Sequence, residues 1–338
     1  MKKLLILFLT TALLLTLTAC TPKSAGADIF AMDTYMSLVA YGKDAQDAVN
    51  DSVQAINALE AEISRTREGS DVDTLNKTGS WTGSAEGTDA TSEILQQALQ
   101  YSAETDGLFD VTIAPLVLLW NINGDMPYVP TQEEIGALLP LVGSKHLRLG
   151  SGNTAALDDG CAIDLGGIGK GYASDLVRLL WKSHGIKSGT VSLGGNVYIC
   201  GSKPDGKPWT VGIQDPKGED CAAYVSLTDA FVVTSGGYQR YFTADDGTVY
   251  QHILDPRTGY PAQSDLASVS IITHDSGTRA DAYSTALYVM GEQAAIDFWH
   301  THGDFGMILI TADGRVLSTP DLTITEPEGS SYDFQVIS

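Results

Sequence analysis

The sequence predicts a mixed α/β fold, and three observations carry that prediction. Segments with apolar residues at helical spacing alternate with β-rich segments along the chain. The glycines, 35 in 338 residues, fall between these segments, where tight turns need them. A 43% hydrophobic composition gives a chain of this length enough apolar side chain for a large core, as one domain or two lobes. No repeat or low-complexity tract interrupts the pattern.

The elements follow in order. Residues 37–41 read as a strand. The next segment carries Val49, Val53, Ile56, Leu59 and Ile63 on one stripe, which predicts a helix over Ala45–Ile63. A further helix is expected over 92–105, stopped by Asp106-Gly107. Thr131-Gln-Glu-Glu134 has the form of a capping box that opens a helix toward Val142. From Cys161 the pattern becomes strand, glycine loop, helix over 172–183, and then strands around 191–200, 209–213 and 224–233. Asp246-Gly247 and Asp313-Gly314 between β-rich flanks predict hairpins, with helices over 280–290 and Glu292–His302 between them.

The N-terminus reads as a secretory signal over residues 1–19. Lys2 and Lys3 precede an apolar run, and the segment closes on Leu17-Thr18-Ala19-Cys20. That ending resembles the bacterial lipobox, which predicts lipidation of Cys20 and a protein held on the cell membrane, facing its extracytoplasmic side. Residues 20–28 then read as a lipidated tether and 29–338 as the folded body. The remaining Cys161, Cys200 and Cys221 lack Cys-x-x-Cys spacing, so a zinc site or disulfide scaffold is not expected and they read as core residues. A formal net charge of −22 argues against a nucleic-acid partner and leaves membrane affinity to the lipid.

Three segments carry possible chemistry. His252-Ile-Leu-Asp255-Pro-Arg-Thr-Gly259 sets an imidazole beside a carboxylate on a turn. Asp281 and Thr285 lie four residues apart on one face of a helical turn and could offer oxygen to a hard cation, although an isolated pair of this kind is commonly local helix bonding. Asp164-Leu-Gly-Gly167-Ile-Gly-Lys170-Gly-Tyr172 follows a short apolar strand and opens a helix, so its backbone N–H groups could receive a phosphate. It matches neither the P-loop nor the dinucleotide fingerprint, and a packing turn is an equal reading.

Seven segments in order resemble the ApbE family of FAD:protein FMN transferases. They are Met32-Asp-Thr34, Gly107-Leu-Phe-Asp-Val-Thr112, the 164–173 glycine loop, Ser192-Leu-Gly-Gly-Asn196, Thr234-Ser-Gly-Gly237, the 252–259 turn and Ala280-Asp-Ala-Tyr-Ser-Thr-Ala286. The resemblance implies a two-lobed α/β fold with FAD in the cleft between lobes. It further implies Mg²⁺-dependent transfer of FMN from FAD to a threonine hydroxyl of an acceptor protein, with release of AMP. The acceptor would belong to a membrane or extracytoplasmic electron-transfer system. Carried over by position, Met32, Leu108, Phe109, Asp110, Asp164, Lys170, Leu254 and Asp255 would contact FAD. Gly167 (through its carbonyl), Asp281 and Thr285 would hold the metal, and His252 would be the catalytic histidine. Many members carry an aromatic where this chain has Thr66, between Arg65 and Arg67, so an arginine is the candidate to cover the flavin. The residues themselves leave open an FAD pyrophosphatase, with water as nucleophile, and a non-catalytic flavin-binding lipoprotein.

Overall fold

The computed structural model describes residues 23–84, 89–218 and 220–338. Its centre is a nine-stranded sheet whose strands run in the order β1 (Ser24–Ala31), β2 (Thr34–Tyr41), β6 (Ser188–Leu193), β7 (Asn196–Gly201), β10 (Ala230–Gly236), β13 (Leu266–Thr273), β14 (Gly306–Thr311), β15 (Arg315–Ser318) and β17 (Asp333–Val336). Neighbours pair antiparallel except β15 with β17.

Both faces of this sheet are covered, and the strand side chains divide between them with a period of two. Phe231 and Val233 of β10, and Met307 and Leu309 of β14, join the larger core; Ala230, Val232, Ile308 and Ile310 point the other way. The larger core is closed by α1 (Ala45–Ile63), α6 (Gly169–Ser183) and α7 (Gly277–Met290), with α3 (Ala90–Glu104) and α8 (Glu292–His302) packed around them. On the opposite face lies a small sheet of β8 (Trp209–Gln214), β9 (Cys221–Leu227) and β16 (Ile324–Thr325). A third sheet, β3 (Ser80–Thr82), β5 (Thr154–Leu157) and β4 (Leu147–Gly150), borders α2 (Asp71–Thr78).

A smaller cluster stands beside this stack. Leu116 and Trp120 of α4 (Ala114–Trp120) pack with Ile135 of α5 (Gln132–Leu138) and with Leu254, backed by Phe242 and Tyr250 from the hairpin β11 (Tyr241–Thr243) and β12 (Val249–Gln251). Trp120 Nε1 donates to the Gly259 carbonyl (2.8 Å), which locks the 255–259 turn onto α4. The cleft described below runs between this cluster and the main stack, in keeping with the two-lobed expectation.

Most expected elements are present, with shifted ends. The Thr131 capping box forms as expected, but its helix stops at Leu138 and passes into a 3-10 turn over Leu139–Leu141. One expectation is corrected. Residues 24–28, read as tether, belong to β1, so the body begins five residues before residue 29. Ser-Ala-Gly-Ala is a weak strand signal, but each residue pairs in register with β2, Ser24 with Tyr41 through Ala31 with Thr34. The signal segment 1–19 and Cys20 lie outside the described residues. Among those described, no helix is long and apolar enough to cross a membrane. Cys161 and Cys200 are buried, Cys221 is half-buried, and all three are free thiols.

Candidate functional site

Residues distant in sequence converge on one cleft of about 850 Å³. Met32, Leu108, Phe109, Asp110, Asp164, Gly167, Lys170, His252, Leu254, Asp281 and Thr285 all line it.

One corner of it is built by the contact of α6 with α7. Ser276 caps α7 by accepting from the Arg279 N–H (3.1 Å). Asp175, from α6, then accepts from Gly277 N (2.8 Å), Thr278 N (2.9 Å), Thr278 Oγ1 (2.6 Å) and Ser276 Oγ (3.2 Å). A carboxylate at a helix N-terminus is electrostatically favoured, and here it fixes α7 against α6. Burial raises the Asp175 pKa against the opposing pull of these bonds. The helices approach so closely that a Cβ on Gly171 would lie 2.4 Å from the Gly277 carbonyl oxygen and 2.8 Å from Asp281 Cβ. Only glycine fits there, and its N–H donates to Asp281 Oδ2 (2.9 Å).

Asp281 is 3% exposed. Thr285, one turn on, donates to the Asp281 carbonyl (3.3 Å) and lies 3.4 Å from Ser235 Oγ, which also meets Ser284 Oγ at 2.8 Å. The local helix bonding anticipated for such a pair is therefore present. It does not exhaust the corner, because Gly167 backs onto it: a Cβ there would lie 3.6 Å from Thr285 Oγ1. The Gly167 carbonyl, the Asp281 carboxylate and the Thr285 hydroxyl are hard oxygen donors with one formal charge, the set with which a protein holds Mg²⁺ together with substrate phosphates. With oxygen donors and neither a thiolate nor an imidazole among the three, the donor chemistry fits a hard cation.

The glycine loop works differently from a P-loop. Gly166 N donates to Asp164 Oδ1 (2.8 Å), Ile168 N and Gly169 N to the Leu165 carbonyl (3.1 and 2.8 Å), and Gly171 N to Asp281. Most loop amides are thus already engaged, and Lys170, whose ammonium donates to the Gly166 carbonyl (3.1 Å), supplies the charge for an anion. Asp164 Oδ2 pairs with Arg65 Nε at 2.9 Å. Arg65 and exposed Thr66 line the cleft and Arg67 does not, which leaves Arg65 as the arginine placed to cover a ring.

Phe109 is 3% exposed and forms floor under the loop, with Cε2 3.3 Å from where a Gly167 Cβ would stand. Asp110 accepts from Thr112 N (2.8 Å) and Thr112 Oγ1 (2.7 Å), capping a 3-10 turn. Burial pushes its carboxyl pKa up. Met32 and Asp33 take left-handed backbone angles (φ 49° and 57°) in the β1–β2 turn, an uncommon state for side-chain-bearing residues and one that collects at functional sites. The turn is held by Met32 N to Glu60 Oε1 (2.7 Å) and by Arg240, which binds the Asp33 carbonyl (2.9 Å) and carboxylate (3.2 Å).

Arg240 also positions the histidine. Its carbonyl oxygen accepts from His252 N (3.1 Å) and faces His252 Nδ1 at 3.2 Å. A carbonyl only accepts, so this contact assigns the proton to Nδ1 and leaves the Nε2 lone pair free. Burial, then the Arg240 and Lys170 charges, push the imidazole pKa down to about 4 although the ring keeps an edge on the cleft. It is therefore a neutral proton acceptor at pH 7. Asp255 stands outside the lining. Its carboxylate is engaged by Arg257 (Nε at 3.0 Å, Nη2 at 2.8 Å) and its backbone closes the turn to Gly259 (2.8 Å).

Sequence reasoning did not single out Asn196, Ser235, Gln239 or Arg240, which also line the cleft. Asn196 and Ser235 sit inside glycine-pair segments that were noted as motifs, so the motif was the signal. Arg240 and Gln239 carried none.

The family model of the ApbE family matches residues 32–309. A Treponema pallidum protein named FAD:protein FMN transferase is 36% identical over 240 residues, 66% of this chain and 66% of that protein. An Escherichia coli K12 protein of the same name is 33% identical over 239 residues, covering 68% and 67%. The aligned part thus spans about two thirds of these relatives. Among solved structures, the ApbE protein of Thermotoga maritima superposes with a TM-score of 0.78 at 32% identity, over 90% of this chain and 97% of that one. The apo flavinyl transferase ApbE of Pseudomonas stutzeri gives 0.75 at 30%, over 91% and 95%. The glycine loop, the 252–259 turn and the Asp281–Thr285 helix all fall inside the matched region, and this chain belongs to the ApbE family.

Proposed function

We propose that the protein transfers the FMN moiety of FAD to a threonine hydroxyl of an acceptor protein, with Mg²⁺ held by the Gly167 carbonyl, Asp281 and Thr285. The observation that carries this reading is the meeting, in one cleft, of a hard-oxygen corner with a neutral histidine whose Nε2 is free. The names of the relatives, FAD:protein FMN transferase, support the same activity.

The acceptor threonine Oγ attacks the phosphorus of the FMN half, the bond from that phosphorus to the bridging oxygen breaks, and AMP leaves with that oxygen. The hydroxyl proton passes to His252 Nε2. An imidazole of pKa about 4 is a weak base, and the bound diphosphate, being anionic, shifts it upward by favouring the imidazolium. Lys170 holds an anionic phosphoryl group by charge. Bound Mg²⁺ supplies neutralisation of charge on the phosphoryl oxygens. Leu108, Phe109 and Leu254 give an apolar bed, and Arg65, tethered by Asp164, offers a planar cation to the ring system.

The chain is further proposed to act at the outer face of the cell membrane, held by lipidated Cys20, on an acceptor of a membrane or extracytoplasmic electron-transfer system. The Leu17–Cys20 sequence supports this. Chromatographic product analysis after incubation with FAD, Mg²⁺ and a threonine-bearing acceptor tests the reaction. AMP and acceptor-bound flavin in equal amounts are expected; AMP with free FMN would make the protein a pyrophosphatase, and unconsumed FAD would leave a binding module.

A further inference from the structure

Asn196 is the one cleft-lining side chain that is almost wholly buried yet has an amide group unmet by protein. It is 1% exposed, it lines the cleft, and its Nδ2 has no hydrogen-bond partner among the described residues. A buried donor left unpaired is unfavourable, and such groups in native structures call for a partner.

The strand register says what lies next to it. Asn196 pairs with Leu193 across one side and Val233 across the other, both of them larger-core residues, so its side chain points to the face covered by α7. Two residues along β10, on the same face as Val233, is Ser235, whose hydroxyl meets Ser284 (2.8 Å) and Thr285 (3.4 Å). Asn196 is therefore a diagonal neighbour of the hydroxyl that touches the cation corner, a separation that side chains of this size bridge. The segment before it, Gly194-Gly195, turns with φ 60° and 98°, and Gly195 accepts from Thr234 N (3.1 Å), which fixes the start of β7 and with it the Asn196 Cα. The amide is held in place on the sheet floor, not on a mobile loop.

We propose that Asn196 is a substrate contact of this site, its carboxamide N–H donating to a non-bridging phosphoryl oxygen of the nucleotide bound at Asp281 and Thr285. This rests on the flavin-transferase reading and adds to it a neutral donor that selects phosphorylated flavins. An unpaired N–H next to a corner suited to a cation and its phosphates matches an anionic acceptor; the uncharged isoalloxazine ring has no claim on that corner.

Calorimetric titration of the full protein with FAD, FMN and riboflavin in Mg²⁺ tests this in Asn196→Leu, which keeps the branched shape and removes the amide. The expected result is a melting temperature equal to or above that of the native chain, because the unmet donor is gone, and FAD and FMN affinities about tenfold or more weaker, as for a hydrogen bond to a charged group. Riboflavin affinity should be unchanged. Asn196→Ala is read in the same way where the leucine variant fails to fold. Unchanged FAD and FMN binding, or an equal loss for riboflavin, would overturn the assignment. The titration needs no turnover: native protein that binds FAD without transferring FMN would refute the proposed reaction and leave this contact to be judged by its own result.

Discussion

Gly171→Ala tests how the fold makes the site. A Cβ at this position would stand 2.4 Å from the Gly277 carbonyl oxygen, 2.8 Å from its carbon and 2.8 Å from Asp281 Cβ. Two of these are backbone atoms of α7, so no side-chain rotation relieves the clash. Restoring a van der Waals separation requires α6 and α7 to part by roughly 1 Å. Overpacking of this kind costs about 1–3 kcal/mol. Parting also stretches the Gly171 N to Asp281 Oδ2 bond, and a hydrogen bond to a charged group is worth about 1.5–3 kcal/mol. The better helix propensity of alanine returns about 1 kcal/mol. The net is a destabilisation of about 1.5–5 kcal/mol, or roughly 2–8 °C in melting temperature for a domain of this size. Because Asp281 moves with α7, the Mg²⁺ concentration needed for tight FAD binding should rise in parallel. Gly136→Ala is the control, since a Cβ there meets nothing within 4 Å. Thermal melts and Mg²⁺ titrations of both variants give the answer. A Gly171→Ala protein melting within about 1 °C of the parent, with unchanged Mg²⁺ dependence, would refute the claim that this contact sets the position of Asp281.

His252→Gln should keep FAD binding and slow transfer by about 10²-fold or more, if the imidazole accepts the proton; loss of FAD binding would make the residue a structural support. Since burial and neighbouring cations lower the His252 pKa to about 4 in the ligand-free protein, kcat/KM for FAD, which reports the free enzyme, should show no histidine-dependent fall between pH 8 and 6 and an acid loss only toward pH 4. An acid limb near 6.5 that disappears in the glutamine variant would contradict the buried, cation-flanked environment. Asp281→Asn should abolish transfer at low Mg²⁺ by removing the only carboxylate of the corner, and near-native activity there would sink the metal assignment. Cys20→Ser should move the protein from the detergent phase to an uncleaved or soluble form; unchanged fractionation and mature mass would remove the lipid anchor.

The fold was most legible where amphipathic helices meet one core face. Ala45–Ile63 could be read to its ends because its apolar stripe is continuous and its opposite face polar. β13 is missing from the sequence reading: its Ser268-Val269-Ser270-Ile271 alternation is short and breaks at Ile272, and the serines that would mark a solvent face are themselves buried. β1 escaped because its pairing is main-chain work that small residues do not advertise. For the site, the local motifs offered Asp281, Thr285 and His252 as candidates only, and it was the collinear order of seven segments, through the family resemblance, that implied their roles and that of the Gly167 carbonyl. What the motifs could not show is partnership across the chain: Asp175 holding the start of α7, Arg240 fixing the tautomer of His252, Asp164 engaged by Arg65, and most loop amides consumed within the loop. Each of these depends on residues that only folding brings together.

The central claim is that FMN ends on a threonine oxygen of another protein. Intact-mass and fragment-mass analysis of a purified acceptor carrying a single candidate threonine, incubated with this protein, FAD and Mg²⁺, measures it directly. The expected result is a mass gain equal to FMN less one water, localised to that threonine, with one AMP released per modified acceptor and neither product in Asp281→Asn. An unmodified acceptor alongside accumulating FMN and AMP would contradict it.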